Sequence, residues 1–144
     1  MAKSWNTIAT DGLYDAIGRI LDGYAEDVSE SLDVAADQLT KELLEDIKAD
    51  SPTHHGKLRR KGKNRISGTY RRSWKRKRIN GRFVIYNTQY GLTHLLENGH
   101  ALKRGGRTIG KVNPHPHILA NAARITERYE EMAVDIISGG VRLK

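Results

Sequence analysis

The six histidines of this 144-residue chain are the side chains best suited to bind a metal ion. His94 and His100 flank Glu97, a combination of residue types that zinc hydrolases use. Two ligands on one face of a helix need a spacing of four, but these histidines are six apart with Gly99 between them. The histidines of His115–His117 could ligate together only in an extended segment. We therefore expect no metal and no cofactor, and keep a metal hydrolase as a minor alternative.

Acid–base catalysis depends on Glu97, the only carboxylate between Asp50 and Glu127. Because the preceding segment is strongly basic, the group should be ionised and paired with an Arg or a Lys. General acid–base catalysis usually needs a second titratable partner, and none is close in sequence. The chain has no cysteine, which excludes thiol catalysis, disulfides and Cys-based zinc sites. We expect a structural ion pair at Glu97 and no enzyme activity.

The distribution of charge is the most informative property of the sequence. From Ser51 to Leu96 there are thirteen Lys and Arg residues and no acid, whereas Asp11–Asp50 carries twelve acids and three bases. The formal net charge of the whole chain is +8. A chain divided in this way is suited to bind charged surfaces, either nucleic acid or other copies of itself.

Non-specific nucleic-acid binding is the main alternative function. The basic segment 57–82 includes Tyr70 and Trp74, which could stack on bases while the surrounding cations meet phosphates. Such binding would be insensitive to sequence and sensitive to salt. Against it, the chain has no helix-turn-helix, zinc-finger or RNA-binding aromatic motif. The segment Lys103–Arg107 also offers cations and amides to a phosphate, although a flexible basic loop is the simpler explanation.

The length of the chain and the absence of a repeat indicate a single domain over 1–144. Residues 1–10 are predicted to be a loose arm. Apolar residues recur at steps of three and four through 11–50, which predicts an acidic amphipathic helix that stops before Pro52. Such a helix would be about 55 Å long at about 1.5 Å per residue. We therefore expect it to break near Ser29–Ser31 or to project from the body.

The middle of the chain is predicted to form a β-hairpin after a basic loop over 51–68. Asn80-Gly81 is a strong two-residue turn signal, so 69–79 and 82–88 are interpreted as its strands. Alternation within the first strand would place one set of side chains on a common face. That set comprises Tyr70, Arg72, Trp74, Arg76 and Arg78.

The rest of 69–113 is predicted to hold a short helix over Tyr90–Asn98 and a Gly-rich basic segment. This last segment is either a loop or a second hairpin, with Thr108-Ile109 at its core. A final apolar stripe predicts a C-terminal helix over 114–138, started by Pro116. The elements indicate an α+β fold, with a long N-terminal helix and a C-terminal helix packed on a small, mostly antiparallel sheet.

Three short patterns stand out along the chain. A Gly-x-Tyr-x-x-Ser-Trp segment precedes a helix that ends in Leu-Glu-x-Gly, and a Gly/Arg-rich stretch then leads to Pro-x-Pro-His-Ile before the last helix. In these features the chain resembles the tail-component, or neck, proteins of long-tailed bacteriophages. The resemblance covers about residues 30–137. The matching positions are Gly68, Tyr70, Ser73, Trp74, Leu96, Glu97, Gly99, Pro116, His117, Ile118 and Ala122.

One departure from the pattern concerns the basic loop. In the family, a Gly-x-Leu motif, here Gly56–Leu58, runs directly into the strand. In this chain Arg59–Ser67 separates the two, so the loop is longer than usual.

We expect Gly99 to end the short helix with a positive φ angle. Glu97 is expected to anchor the basic strands or a neighbour's basic loop.

The resemblance implies a structural virion protein at the head–tail junction, in neck formation or tail completion, with no enzyme activity. It implies a homo-oligomeric ring, expected to be a hexamer in the virion, between connector or head-closure proteins and tail terminator or tail tube proteins. DNA could contact the ring in passing, and no membrane partner is expected. Structural roles are implied for Trp74, Glu97, Gly99, Pro116 and His117. Subunit or DNA-channel contacts are expected of Arg71, Arg72, Lys75, Arg76, Lys77, Arg78, Arg82, Lys103, Arg104 and Arg107.

Overall fold

The computed structural model describes residues 10–53, 68–139 and 143. Most of the predicted N-terminal arm and of the basic loop over 51–68 lies outside these residues. The elements are α1 (Thr10–Asp50), α2 (Thr69–Arg72), β1 (Trp74–Ile79), β2 (Arg82–Asn87), α3 (Tyr90–Asn98), β3 (His100–Arg104), β4 (Arg107–Val112) and α4 (Leu119–Ile137). This order confirms the α+β class. The strands form two separate two-stranded antiparallel sheets rather than one.

Helix α1 is continuous over 41 residues, which corresponds to about 62 Å. Of the two expected alternatives, the helix does not break near Ser29–Ser31 and its first part projects instead, since no proline interrupts the helix and its apolar stripe continues across the segment. The C-terminal part is packed, with Ala35, Leu39 and Ile47 buried. The part before Tyr24 projects with its apolar side chains exposed.

Helix α4 lies antiparallel along α1 and covers its C-terminal part. Its inward residues Ile125 and Ile136 are buried. Exposed ion pairs flank the contact, Arg124 with Asp46 and Arg128 with Glu42. Surface pairs of this kind contribute only about 0–1 kcal/mol each, so the apolar seam supplies most of the packing energy.

The β1–β2 hairpin packs on another side of α1 and turns at Asn80-Gly81 as predicted. Both turn residues have positive φ angles, 49° and 78°, which is the geometry of a type I′ turn. The strand prediction is wrong for Thr69–Arg72, which forms the short helix α2. The carbonyl of Tyr70 explains this difference, because it accepts hydrogen bonds from the Ser73 amide at 3.1 Å and the Ser73 hydroxyl at 2.6 Å.

Helix α3 has the predicted bounds, and Gly99 follows it with a φ of 70°. The Gly-rich segment is a second hairpin, β3–β4, rather than a loop, and it turns at Gly105-Gly106. Thr108 and Ile109 do not form a core, since every residue over 101–111 is exposed. None of the described helices combines the length and apolar character needed to cross a bilayer.

The C-terminal helix begins at Leu119, later than Pro116. Pro114 and Pro116 each lack an amide hydrogen, and between them the His115 amide donates to the carbonyl of Leu96 at 2.7 Å. This hydrogen bond holds residues 114–116 against the end of α3 in a non-helical conformation, so the helix begins only after them. The predicted start at 114 was therefore about five residues too early.

Candidate functional site

The segments that carry the three sequence patterns meet beside the C-terminal end of α1. They bring together a buried polar centre, which we define as Tyr70, Trp74, Glu97 and His117. All four residues are at most 9% exposed, and His117 is fully buried. Pro116, by contrast, is exposed. The motif residues thus form part of the fold's interior rather than an open cleft.

Glu97 accepts hydrogen bonds from the first backbone amides of α4. Oε2 lies 3.0 Å from the amide nitrogen of His117, and Oε1 lies 3.0 Å from that of Leu119. The amide nitrogen of Ile118 lies 3.2 Å from Oε2. Ile118 is the N-cap residue of α4, and its own side chain makes no capping hydrogen bond. The first amides of a helix lack intrahelical acceptors and carry partial positive charge, so a carboxylate there is a favourable cap. Glu97 therefore fixes the start of α4 on the end of α3.

This arrangement corrects the expected partner of Glu97. The carboxylate pairs with no Arg or Lys of the described chain, and its acceptor capacity is used by three amides and by the His117 ring at 3.1 Å. Burial alone would raise the pKa of Glu97, but the amides of His117, Leu119 and Ile118 outweigh burial and hold that pKa below its usual value. Glu97 is consequently ionised at neutral pH, which makes it a poor general acid.

His117 links Glu97 to the aromatic residues of the centre. Its Nδ1 lies 2.8 Å from the carbonyl of His115, which can only accept, so Nδ1 carries the proton. In the neutral ring, Nε2 is then an acceptor for the Tyr70 hydroxyl at 3.0 Å. Tyr70, Trp74 and His117 stack edge to face, with ring centroids 5.7–6.2 Å apart. Burial is the largest cause that raises the pKa of Tyr70; a hydrogen bond with Thr93 opposes it, and the nearby Glu97 carboxylate adds to the rise, so the hydroxyl stays protonated and donates.

Gly99 allows the chain to pass very close to itself below the centre. A Cβ at this position would lie 2.5 Å from the carbonyl oxygen of Val112 and 2.9 Å from the nitrogen of Pro114. Both neighbours are backbone atoms, which cannot move aside cheaply. The position therefore requires glycine both for its positive φ and for this close approach.

Further polar residues, most of them not singled out by the sequence analysis, complete the interior. Trp74 Nε1 donates to the Ser51 hydroxyl at 2.9 Å, and Asn121 Nδ2 donates to Asp50 Oδ2 at 2.8 Å. Asn87 accepts from the Ser73 hydroxyl at 2.7 Å. The pairs Ser51–Trp74 and Asp50–Asn121 join residues distant in the chain, so local spacing carries no signal for them, whereas Ser73 and Asn87 meet at the base of the β1–β2 hairpin. The only signal for the burial of these polar residues is that they lie close to the aromatic motif residues.

The centre has little capacity for catalysis. Its carboxylate is fully used in hydrogen bonding, and its imidazole is inaccessible to a substrate. Within residues 10–53, 68–139 and 143, no group of three or more potential ligands could hold a metal ion. His94 is exposed on α3 and His100 lies on β3, so the proposed trio with Glu97 does not share a face. The arrangement is suited to fixing elements in place.

The basic residues expected to make outside contacts divide into two groups. Arg76 and Arg78 are paired inside the chain: Arg76 with Asp37, and Arg78 with Asp33 at 2.6 Å, both across to α1. Hydrogen bonds from Lys41 and Arg76 hold the pKa of Asp37 below its usual value. The other group is exposed on α2, on the two hairpins and at the β1–β2 turn. It comprises Arg71, Arg72, Lys75, Lys77, Arg82, Lys103, Arg104 and Arg107.

The internal pairs change how the charge division is interpreted. The acids in the C-terminal part of α1 are largely matched by Arg side chains of the same chain, from β1 and α4. Reversing Arg76 and Arg78 would thus loosen the hairpin from α1 and would not isolate a contact between subunits. Asp15 and Asp22, in the projecting part, are exposed.

A scan against models of known protein families found no match for this sequence. Searches of the curated proteins and of the solved structures also found none.

Proposed function

We propose that the chain is a structural subunit of the head–tail junction of a bacteriophage, acting in the neck or in tail completion. In this role copies assemble into a ring between the capsid connector and the tail. The sequence resemblance motivates the proposal. It is supported by the polar centre, where the motif residues hold elements of the fold together through buried hydrogen bonds. That is the role expected of such residues in a structural subunit.

The observation that carries the proposal is the exposed apolar stripe on the projecting part of α1. We define the apolar stripe as Leu13, Tyr14, Ile17, Ile20, Leu21 and Tyr24, each 44–71% exposed. A contiguous exposed apolar surface of this kind marks an interaction site. An assembly subunit buries such a surface in its neighbours, whereas a stand-alone enzyme has no use for it.

The proposed function is tested by preventing synthesis of the chain in the phage that encodes it. A stop codon early in its reading frame should yield DNA-filled heads and separate tails in electron micrographs, because the joining ring is missing. Supplying the wild-type chain from a plasmid should restore joined, infectious particles. Normal particles assembled without the chain would refute the proposed function.

Non-specific nucleic-acid binding is the second candidate, favoured by the exposed cations of α2 and β1, among them Arg71, Arg72, Lys75 and Lys77. If it is the function, the purified chain should bind duplex DNA with submicromolar affinity and a steep salt dependence, on the order of one logarithmic unit of affinity per logarithmic unit of salt for each phosphate contacted. A fluorescence anisotropy titration at several salt concentrations measures this slope. On the assembly proposal, we expect weak binding at physiological salt.

A further inference from the structure

The apolar stripe lies on one face of the projecting helix. Successive helical residues are about 100° apart, which places all six stripe residues within a sector of about 120°. The same face continues to Ala35 and Leu39, which are buried. Helix α4 ends near Tyr24, whose hydroxyl donates to the carbonyl of Ile137. The stripe is therefore the uncovered continuation of a face that α4 covers further along.

The projecting part is a poor candidate for a stable unsupported helix. It extends the packed part of α1 and so incurs no nucleation cost, but without tertiary packing its stability rests on helix propensity alone. This part also contains Gly12, Gly18 and Gly23, and each costs about 1 kcal/mol relative to alanine in a helix. A partner that covers the stripe would stabilise the segment as well as bury its apolar side chains.

The β3–β4 hairpin carries a surface that complements the stripe. It projects with all residues over 101–111 exposed, including Leu102 at 42% and Ile109 at 62%. The same hairpin carries Lys103, Arg104, Arg107 and Lys111, and it contains no acid.

Charge favours this hairpin over a second α1 as the covering element. Residues 10–24 of α1, which carry the stripe, contain three acids and one base. Two such segments side by side would bring like charges together, whereas the hairpin brings four bases. The hairpin therefore offers the stripe both apolar residues and opposite charge.

The hairpin cannot reach the stripe of its own chain. Its base is held at the C-terminal end of α1, where His115 Nε2 donates to the carbonyl of Asp50 at 2.8 Å. Ile20 lies about 45 Å from that end along the helix, at about 1.5 Å per residue. A hairpin with strands of five or six residues is only about 20 Å long. The contact must therefore form between copies.

We propose that the β3–β4 hairpin of one copy docks on the apolar stripe of α1 in a second copy. Leu102 and Ile109 pack on the stripe, while the basic residues meet the acids of the projecting helix. The two surfaces differ and lie at opposite ends of the molecule, so the contact is head-to-tail and produces a ring if it closes. The inference deepens the proposed function and rests on it for this closure into a ring.

Two variants and their mixture test the proposal. The stripe variant carries Ile17→Asp and Ile20→Asp, and the hairpin variant carries Arg104→Glu and Arg107→Glu. In sedimentation velocity the wild type should self-associate, each variant alone should be monomeric, and an equimolar mixture should form a dimer and nothing larger. That dimer uses the one intact contact, the stripe variant's hairpin on the hairpin variant's stripe.

A control variant, Glu127→Lys with Glu130→Lys, changes the net charge by the same magnitude with the opposite sign, at exposed positions of α4 away from both surfaces, and should associate like the wild type. Raising NaCl from about 50 mM to about 500 mM should weaken association by about ten-fold, because the exposed charges are screened. The proposal is overturned by a mixture that stays monomeric, by a hairpin variant that associates normally, or by association that strengthens with salt. A wild type that is monomeric at its highest attainable concentration overturns it as well.

Cross-linking gives a measurement that does not require substitutions to charged residues. Because the chain has no cysteine, Ile20→Cys and Ile109→Cys variants each present one thiol. A bismaleimide should join the two variants to each other in preference to joining either with itself, and preferential Ile20→Cys self-linking would instead assign the stripe to α1 pairing. If the contact is confirmed but particles form without the chain, only the proposed function fails. If the chain is essential for joining but the variants never cross-link, only the contact fails.

Discussion

Gly99→Ala should lower the free energy of unfolding by about 4 kcal/mol, which we expect to leave little of the fold intact at physiological temperature. Two costs add at this position. A non-glycine residue is strained at a φ of 70°, and its Cβ would lie 2.5 Å from the carbonyl oxygen of Val112. Relief would require the segment before α4 to move away from the end of α3, which would break the amide bonds to Glu97. Urea denaturation followed by circular dichroism measures the loss.

Gly91→Ala is the matched control for this prediction. Gly91 lies inside α3, has no positive φ and has no atom within 4 Å of an added Cβ. Alanine should therefore stabilise the helix by up to about 1 kcal/mol. Equal effects of the two substitutions would show that the close approach at Gly99 does not constrain the fold.

Glu97→Gln should lower the free energy of unfolding by about 3 kcal/mol at neutral pH, because hydrogen bonds to a charged acceptor contribute about 1.5–3 kcal/mol each and the amide offers one acceptor instead of two. The glutamine NH₂ group would also point donors at the amide donors of His117–Leu119. The favourable interaction of a full negative charge with the start of α4 is lost in addition.

The pH dependence of this loss has a defined sign. Since the pKa of Glu97 is lower in the folded chain than its ordinary value of 4.5, its charge contributes stability that is fully present above about pH 4.5. That stability is lost as the pH falls through the folded pKa. The difference in unfolding free energy between the wild type and Glu97→Gln should thus be constant near neutrality and should shrink below pH 4.5. Other carboxylates, including Asp37, titrate in both proteins and cancel in the difference.

Glu131→Gln provides the comparison for a glutamate on the exposed face of α4. Its effect should stay within about 0.5 kcal/mol across the same pH range. A Glu97→Gln variant that unfolds like the wild type at pH 7, or a difference that grows as the pH falls, would contradict the capping role of Glu97.

The local elements of the fold were predictable because their causes lie within a few residues. Asn80-Gly81 dictates its turn, and the apolar spacing over 90–98 with Gly99 beyond it gives α3 its bounds. The prediction was wrong at Thr69–Arg72, where alternation indicated a strand. The hydrogen bonds that close this turn come from Ser73 and from Asn87, fourteen residues further on, and no local pattern encodes the second of these.

The candidate site was predictable in its residues but not in its partners. The sequence indicated that Glu97, Gly99 and His117 matter structurally; Glu97 and His117 are buried, and Gly99 lies directly against the backbone of Val112 and Pro114. It could not identify backbone amides as the partners of Glu97, because every residue except proline carries one and nothing marks those of α4. Likewise, the charge division suggested contacts outside the chain, whereas Arg76 and Arg78 neutralise acids of their own α1.

The unbroken helix α1 also fixes the distance between the two ends of the molecule. A kink in its middle would have uncoupled the position of the projecting tip from that of the packed body. A continuous helix of about 62 Å instead sets the separation of the two ends with a single element. Partners bound at the two ends of α1 are therefore held at a distance that the number of helical turns determines. Changes in the surface loops leave that distance unaltered.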